Sequence, residues 1–296
     1  MIQCSVIVRL INWESAHSGE VLPSNLIHLT YNATSWCSFN TGSKQYQPAH
    51  GTRVKKTDTV FQNPLEAIAD FSFDATVADV FEDMVNRSVP GYGLLIALIK
   101  TVTCQFAQKN SHLYDLGCSL GACALSMHDG SVAIPGCHII GIDTSEDMLH
   151  RAQILTRQKN ANNIEFICED VRNVSLGDAS VVVLNLTLQF LPIEDRGRLI
   201  QKIFHALLPG GVLIISEKTS NPNDVDQVLL SQLYHGFKAD QGYSKLEISQ
   251  KRDALDNVLI PESISEHQAR LESVGFEQVL PWYQAFSFVS LLAIKK

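Results

Sequence analysis

The sequence predicts an α/β protein built on a doubly wound, mostly parallel sheet, with a helical cap on its N-terminal side and a helical insert near its C-terminal end. Three observations carry that prediction. Short apolar runs alternate with helical stretches from His112 to the end of the chain. Acids stand at the ends of three successive runs, at Asp115, Asp143 and Asp170. The most β-branched run, SVVVLNLTLQFL, begins without polar alternation, as a strand covered on both faces should.

The elements follow in chain order. Residues 1–56 are expected to be a disordered or loosely attached leader, or the product of a start assigned too early, because NATSWCSFNTGSKQYQPAHGTRVKK is polar and holds neither a helical nor a strand period. Residues 57–296 are expected to form the folded domain. FDATVADVFEDMVNRSVPGYGLLIALIKTVTCQFA reads as two helices divided by Val89-Pro90-Gly91. HLYDLG is a strand, GACALSMHDG a helix and HIIGID a second strand. Ser145 caps the helix SEDMLHRAQILTRQ, with Glu146 and Asp147 in its first turn, where the helix dipole favours acids. IEFICED, SVVVLNLTLQFL and VLIISEK are further strands, the last two divided by the helix EDRGRLIQKIFHALL and the turn Pro209-Gly210-Gly211. A polar helical insert at about 222–260 precedes a final helix and two strands.

The formal net charge of −8 argues against a surface whose task is gripping a phosphate backbone, so no direct nucleic-acid partner is expected. The seven cysteines include no C-x-x-C, and their odd number leaves at least one unpaired; a reducing, cytoplasmic setting and no metal site are expected. The longest apolar stretch, 181–191, is interrupted by Asn185, Thr187 and Gln189, which excludes a membrane span there. Arg9 interrupts the one candidate for a signal-peptide core.

The stretch YDLGCSLGACALS carries two incompatible patterns. Gly117-Cys118-Ser119-Leu120-Gly121 spells G-x-S-x-G, the elbow that presents a nucleophilic serine. From Asp115 the same letters spell a glycine-bearing turn that cradles a nucleoside. An elbow needs an oxyanion loop upstream, and no glycine run precedes Tyr114. It also needs a histidine downstream; His205 and His267 sit inside helical patterns, and His235 is formally available. The three acids decide for the nucleoside, because successive parallel strands bring their C-terminal ends to one sheet edge. Asp143 lies 22 residues beyond Gly121, the separation of an acid that accepts ribose hydroxyls. Position 119 is serine where a dinucleotide loop has glycine, and no basic residue follows to hold a pyrophosphate. A ligand with ribose and adenine but no phosphate fits better, and S-adenosyl-L-methionine (AdoMet) is the common one. Asp170 and Val171 would then flank the adenine, and Ser119 is a spacer.

From Thr57 to the end, the motifs FEDMVNRSVPGY, YDLGCSLGA, SVVVLNLTLQFL and GYSKLEISQKR resemble the carboxy-S-adenosyl-L-methionine synthases. The resemblance implies the class I AdoMet methyltransferase-like Rossmann fold, and a reaction other than methyl transfer. AdoMet and prephenate would give carboxy-AdoMet and phenylpyruvate, and a separate enzyme would carry the carboxymethyl group to the wobble uridine of tRNA. It also implies a homodimer. Carried over residue by residue, the ligand contacts fall on Tyr92, on the turn Gly117, Cys118 and Ser119, on Asp143 and Thr144 at the ribose, on Asp170 and Val171 at the adenine, on Asn185 beneath the reacting group, and on Arg252 at the new carboxylate. The family often has asparagine where this chain has Thr144. Two other readings are kept open, an ordinary AdoMet-dependent methyltransferase acting on tRNA or a small molecule and a non-catalytic AdoMet-binding regulatory protein.

Arg252 has a physical case of its own. A carboxylated AdoMet differs from AdoMet by one planar anion, which a guanidinium fork suits. A plain methyltransferase has no use for a cation beside its sulfonium. The bland alternative makes Lys251 and Arg252 ordinary solvated residues of a helix. Prephenate is a dianion approaching an acidic protein, so local cations must offset the repulsion; Arg252 is one, and Arg87 is a weaker candidate whose favoured reading is an outward-facing arginine. The helices of 74–100 and the insert are the natural lids that would exclude water, and no dedicated side-chain base is required.

Overall fold

The computed structural model describes residues 56–65 and 67–296; apart from Lys56, the expectation for the leader lies outside these. Two helices come first, α1 (Ala75–Ser88) and α2 (Tyr92–Phe106). Asp74 caps α1 by accepting the Val77 amide hydrogen at 2.9 Å. Gly91 makes the corner between them. Its φ of +71° is unstrained only for glycine, and a Cβ there would collide with the Tyr283 hydroxyl, which donates to the Pro90 carbonyl at 2.9 Å.

The sheet is assembled from β1 (His112–Leu116), β2 (His138–Asp143), β3 (Ile164–Cys168), β4 (Ala179–Asn185), β5 (Leu207–Lys218), β6 (Gln278–Ala285) and β7 (Phe288–Ile294). Their order across the sheet is β3-β2-β1-β4-β5-β7-β6. The five strands from β3 to β5 pair in parallel, and β7 runs antiparallel to both of its neighbours. The chain winds outward from β1 to β3, then returns to lay β4 against the other side of β1. That reversal opens a crevice at the C-terminal ends of β1 and β4.

Helices α3 (Ala122–Ser131), α4 (Glu146–Gln158), α5 (Ile193–Ala206) and α8 (Ile264–Val274) cover the sheet, while α6 (Asp224–Asp240) and α7 (Lys245–Leu255) form the insert. β4 shows why its run lacks alternation. Val181 and Val183 pack with Ile99 and Met127 on one face, and Val182 and Leu184 with Ile200 and Leu271 on the other. Ser145 caps α4 as expected, accepting the Met148 amide hydrogen. α7 and α8 each begin with a capping box, Ser244 with Glu247 and Ser263 with Glu266.

SVVVLNLTLQFL is not one strand. β4 stops at Asn185, Leu186 turns with a φ of +60°, and Leu188–Phe190 form a 3-10 turn. The cause lies in β5. The buried Glu217 carboxylate accepts the amide hydrogens of Thr187, Leu188 and Gln189 at 3.2, 2.8 and 3.3 Å, pulling the chain out of the ladder. Among the described residues no single helix is long and apolar enough to cross a membrane.

Candidate active site

One cavity of about 740 Å³ opens at the crevice, toward the upper part of the range for small-ligand sites. All ten residues singled out from the sequence line it. Helices α1, α6 and α7 supply much of the rest of its wall, together with Phe71, Phe73 and Phe190.

The nucleoside side is built from backbone. Gly117 and Ser119 both sit in the left-handed region, at φ +78° and +49°. A Cβ on Gly117 would strike the Thr187 side chain at 2.3 Å, so the turn after β1 and the turn after β4 fit each other only through glycine. Ser119 holds a conformation that costs an L-residue of order 1 kcal/mol or more. What holds it there is Asp143, at the end of β2, which accepts the Ser119 amide hydrogen at 2.8 Å and that of Ser145 at 3.0 Å. Two of roughly four lone-pair positions on that carboxylate are thereby used, and the others remain for hydroxyl donors. Burial pushes the Asp143 carboxyl up, and the amide hydrogens it accepts work against that rise.

Asp115 faces inward beside it. Its Oδ2 accepts the Ala124 amide hydrogen at 2.9 Å in the first turn of α3, and burial pushes its pKa up to about 7. Asp170 and Val171 lie just beyond β3 rather than at its end. The Asp170 carboxylate is held by Arg172, whose backbone amide donates to Oδ1 at 2.8 Å and whose Nη2 donates to Oδ2 at 2.6 Å, so its pKa is lowered chiefly by that side chain. Both acids therefore carry structural work as well as facing the cavity. Thr144 follows Asp143, and its carbonyl faces the Cys168 thiol at 3.6 Å. Cys118 is buried, its thiol pushed up first by burial and then by the charges of Asp115 and Asp143. Tyr92 opens α2 and packs against Val85, Val89 and Phe288.

At the end of β4, the Asn185 Oδ1 is buried with no hydrogen-bond partner. Buried acceptors rarely stay unmade, and this one lies in the cavity wall. An unmet acceptor, a ribose-ready carboxylate and a glycine turn suit a nucleoside carrying a cationic group. The serine elbow fails here. The Ser119 hydroxyl donates to the Met148 sulfur at 3.5 Å, and among the described residues no histidine is hydrogen-bonded to it.

The insert side is built from charged side chains. Arg252 lines the mouth of the cavity with its side chain 54% exposed, and its Nε and Nη2 both donate to the Asp253 carboxylate at 3.0 and 2.8 Å. Lys251 is not solvated. It is buried, donates to the Ser88 hydroxyl at 2.9 Å and sits 3.7 Å from Asp58. Arg87 is neither a cavity cation nor an outward-facing residue. It lies across the Tyr243 ring at 3.9 Å and donates to the Gln241 and Asp58 carbonyls and the Asp83 carboxylate. Those contacts, with the Tyr243 hydroxyl donating to Asp58, clasp the segment 56–65 to the insert. Gln250 completes the clasp, donating to the Phe61 and Asn63 carbonyls and accepting from the Leu65 amide.

The fold and this crevice define a class I, AdoMet-type methyltransferase-like protein. A methyltransferase-domain family matches residues 107–273. Among solved structures, the chain is similar to a putative S-adenosyl-L-methionine-dependent methyltransferase from Methanococcus maripaludis, with a TM-score of 0.52, 17% identity, and coverage of 78% of this chain and 97% of that one. Human N-acetylserotonin methyltransferase, solved in complex with SAM, matches at a TM-score of 0.51 and 20% identity over 75% of this chain and 55% of that one.

The chain belongs to the carboxy-S-adenosyl-L-methionine synthase family. It is 49% identical to the synthase of Marinobacter nauticus over 243 residues, 81% of this chain and 95% of that protein. It is also 49% identical to the synthase of Trichlorobacter lovleyi, over 82% of this chain and all of that protein.

Proposed function

We propose that this chain converts AdoMet to carboxy-AdoMet, with prephenate as the carboxyl donor and phenylpyruvate as the second product, supplying the carboxymethyl donor for wobble-uridine modification of tRNA in the cytoplasm. Asp143 takes the ribose hydroxyls on its unused lone pairs, and Asp170 and Val171 flank the adenine. Asn185 offers its unmet oxygen to the cationic end of the nucleoside, and Tyr92 closes that end. The observation that carries the reading is Arg252, a guanidinium at the mouth of the same cavity that holds Asp143 and Asn185. A cation there repels a sulfonium and attracts the carboxylate that the reaction adds. To receive that anion bidentately, the guanidinium must exchange Asp253 for the ligand.

The aromatic wall formed by Phe71, Phe73, Phe81 and Phe190 keeps water from a carbanion equivalent and from free carbon dioxide. The chain acts as a homodimer, and the exposed apolar stripe Val225, Val228, Leu229 and Leu233 along α6 is the surface offered for it; sedimentation velocity reads the mass.

Incubation of the protein with AdoMet and prephenate, followed by mass measurement of the nucleoside, tests the reaction. A gain of one carboxyl group is the expected result. Formation of S-adenosylhomocysteine with an acceptor, and no carboxylated product, would replace this reading with methyl transfer.

A further inference from the structure

Two lysines that no motif marks face the same cavity from the insert side. Lys218 ends β5, and its ammonium lies 5.3 Å from the centroid of the Tyr234 ring. Lys238, in the last turn of α6, places its ammonium 4.7 Å from the same centroid, and only 5% of the residue is exposed. Both residues line the cavity, as does Tyr234. Their neighbours have counter-ions: Lys251 has Asp58, and Arg252 has Asp253. Among the described residues, neither Lys218 nor Lys238 has a carboxylate within ion-pairing distance. A lone buried charge is costly, and a second cation close by raises that cost. The face of one tyrosine offsets only part of it.

We infer that Lys218 and Lys238, each close to the Tyr234 ring and both in the cavity wall, form a dianion subsite opposite the nucleoside side, which takes the two carboxylates of a cyclic dicarboxylic acid. Asp256 attracts the Lys218 ammonium only from beyond ion-pairing distance, so two unpaired cations remain for two anionic groups, and the apolar surface beside them, Leu255, Leu259 and Phe288, suits a carbon ring better than a hydrated inorganic ion. In a protein of net charge −8, such a local excess of cations is the feature that admits a dianion at all. Burial, then Lys251, Lys218 and Arg252, push the Lys238 ammonium down to about 7, so these four cations feel one another across the cavity. A bound dianion would reverse that push. The assignment rests on the donor-binding part of the proposed function and adds the residues that select for charge.

The test needs no turnover. Adamantane-1,3-dicarboxylate and adamantane-1-carboxylate are titrated calorimetrically into the full chain saturated with AdoMet. The dicarboxylate is expected to bind roughly 10-fold tighter or more, the size of one charge-assisted hydrogen bond. Lys238→Met and Lys218→Met should each reduce that preference below about 3-fold and leave AdoMet affinity within about 2-fold, while Lys238→Arg keeps most of it. AdoMet affinity on the same samples is the folding control, and Lys218→Met carries the test if Lys238→Met fails it. Equal affinity of the native protein for the two acids, or native selectivity in both methionine variants, overturns the subsite. Selective dicarboxylate binding by a protein that makes no carboxylated nucleoside from prephenate would leave the subsite standing and remove the reaction.

Discussion

The two sides of the cavity are made of different material. On the nucleoside side, the turn at Gly117–Ser119 and the carboxylate of Asp143 hold each other through backbone amides, so the polar groups are largely satisfied before any ligand arrives. On the insert side, Lys218, Lys238, Lys251 and Arg252 line a shared space from β5, α6 and α7, and two of them have no carboxylate within ion-pairing distance among the described residues. The first side uses machinery that any protein of this fold can share. The second holds the chemistry particular to this chain, because a fold does not fix a reaction.

Separate substitutions on the two sides should therefore fail in separate ways. Arg252→Ala is expected to have the largest effect, lowering carboxylated product by about 100-fold or more while AdoMet affinity stays within a few-fold; product mass and calorimetry read the two quantities. Full activity in that variant would remove Arg252 from the reaction. Asp143→Ala should reverse the pattern, weakening AdoMet binding by roughly 30-fold or more, since hydrogen bonds to a charged group are worth about 1.5–3 kcal/mol each. Its melting temperature should also fall, because the Ser119 and Ser145 amides lose their acceptor.

A smaller effect concerns pH. Lys238 has a folded value of about 7, below that of an unfolded lysine at about 10.4, so between these values the unfolded chain binds the extra proton. Stability contributed by this group therefore rises with pH across that window. Asp115 and Glu217, raised by burial to about 7 and about 8, have the opposite slope at lower pH. Denaturant midpoints from pH 8 to 10 should rise less steeply for Lys238→Met than for the native chain; identical slopes would mean the ammonium is already solvated. The smallest effect is expected from Ser119→Ala, which should change turnover by less than about 3-fold, since its hydroxyl reaches only Met148 and the φ of +49° is carried equally by either residue. A fluorophosphonate adduct at Ser119 would contradict that.

The nucleoside side was legible in the sequence for a physical reason. Parallel strands alternate with helices at regular intervals, their ends fall on one edge, and the residues at those ends must share a crevice. Asp143 and the glycine turn were reached by counting along the chain, whereas Asn185 came from the family resemblance and not from spacing. The insert side was not legible in that way. A lysine at the end of a strand or in the last turn of a helix reads as solvated, and the half-burial of Lys218 and the burial of Lys238 arise only when α6 and α7 fold over the sheet edge. Arg87 misled for the same reason. Its place before the SVPGY corner suggested an outward-facing residue or a weaker cavity cation, but its partners lie in 58–83 and in the insert, at Gln241 and Tyr243. The stop at Asn185 was equally hidden, because the Glu217 carboxylate that ends the strand comes from the next one.

The clasp around Gln250 and Asp58 decides where this chain can be shortened. The helix bearing the guanidinium is tied down by peptide groups of Phe61, Asn63 and Leu65, which precede every residue of the cavity wall. A deletion ending at residue 66 would leave the crevice residues intact and still unmoor α7. Its defect would surface in carboxylation before it surfaced in nucleoside affinity, so trimming that end amounts to editing the reaction centre from a distance.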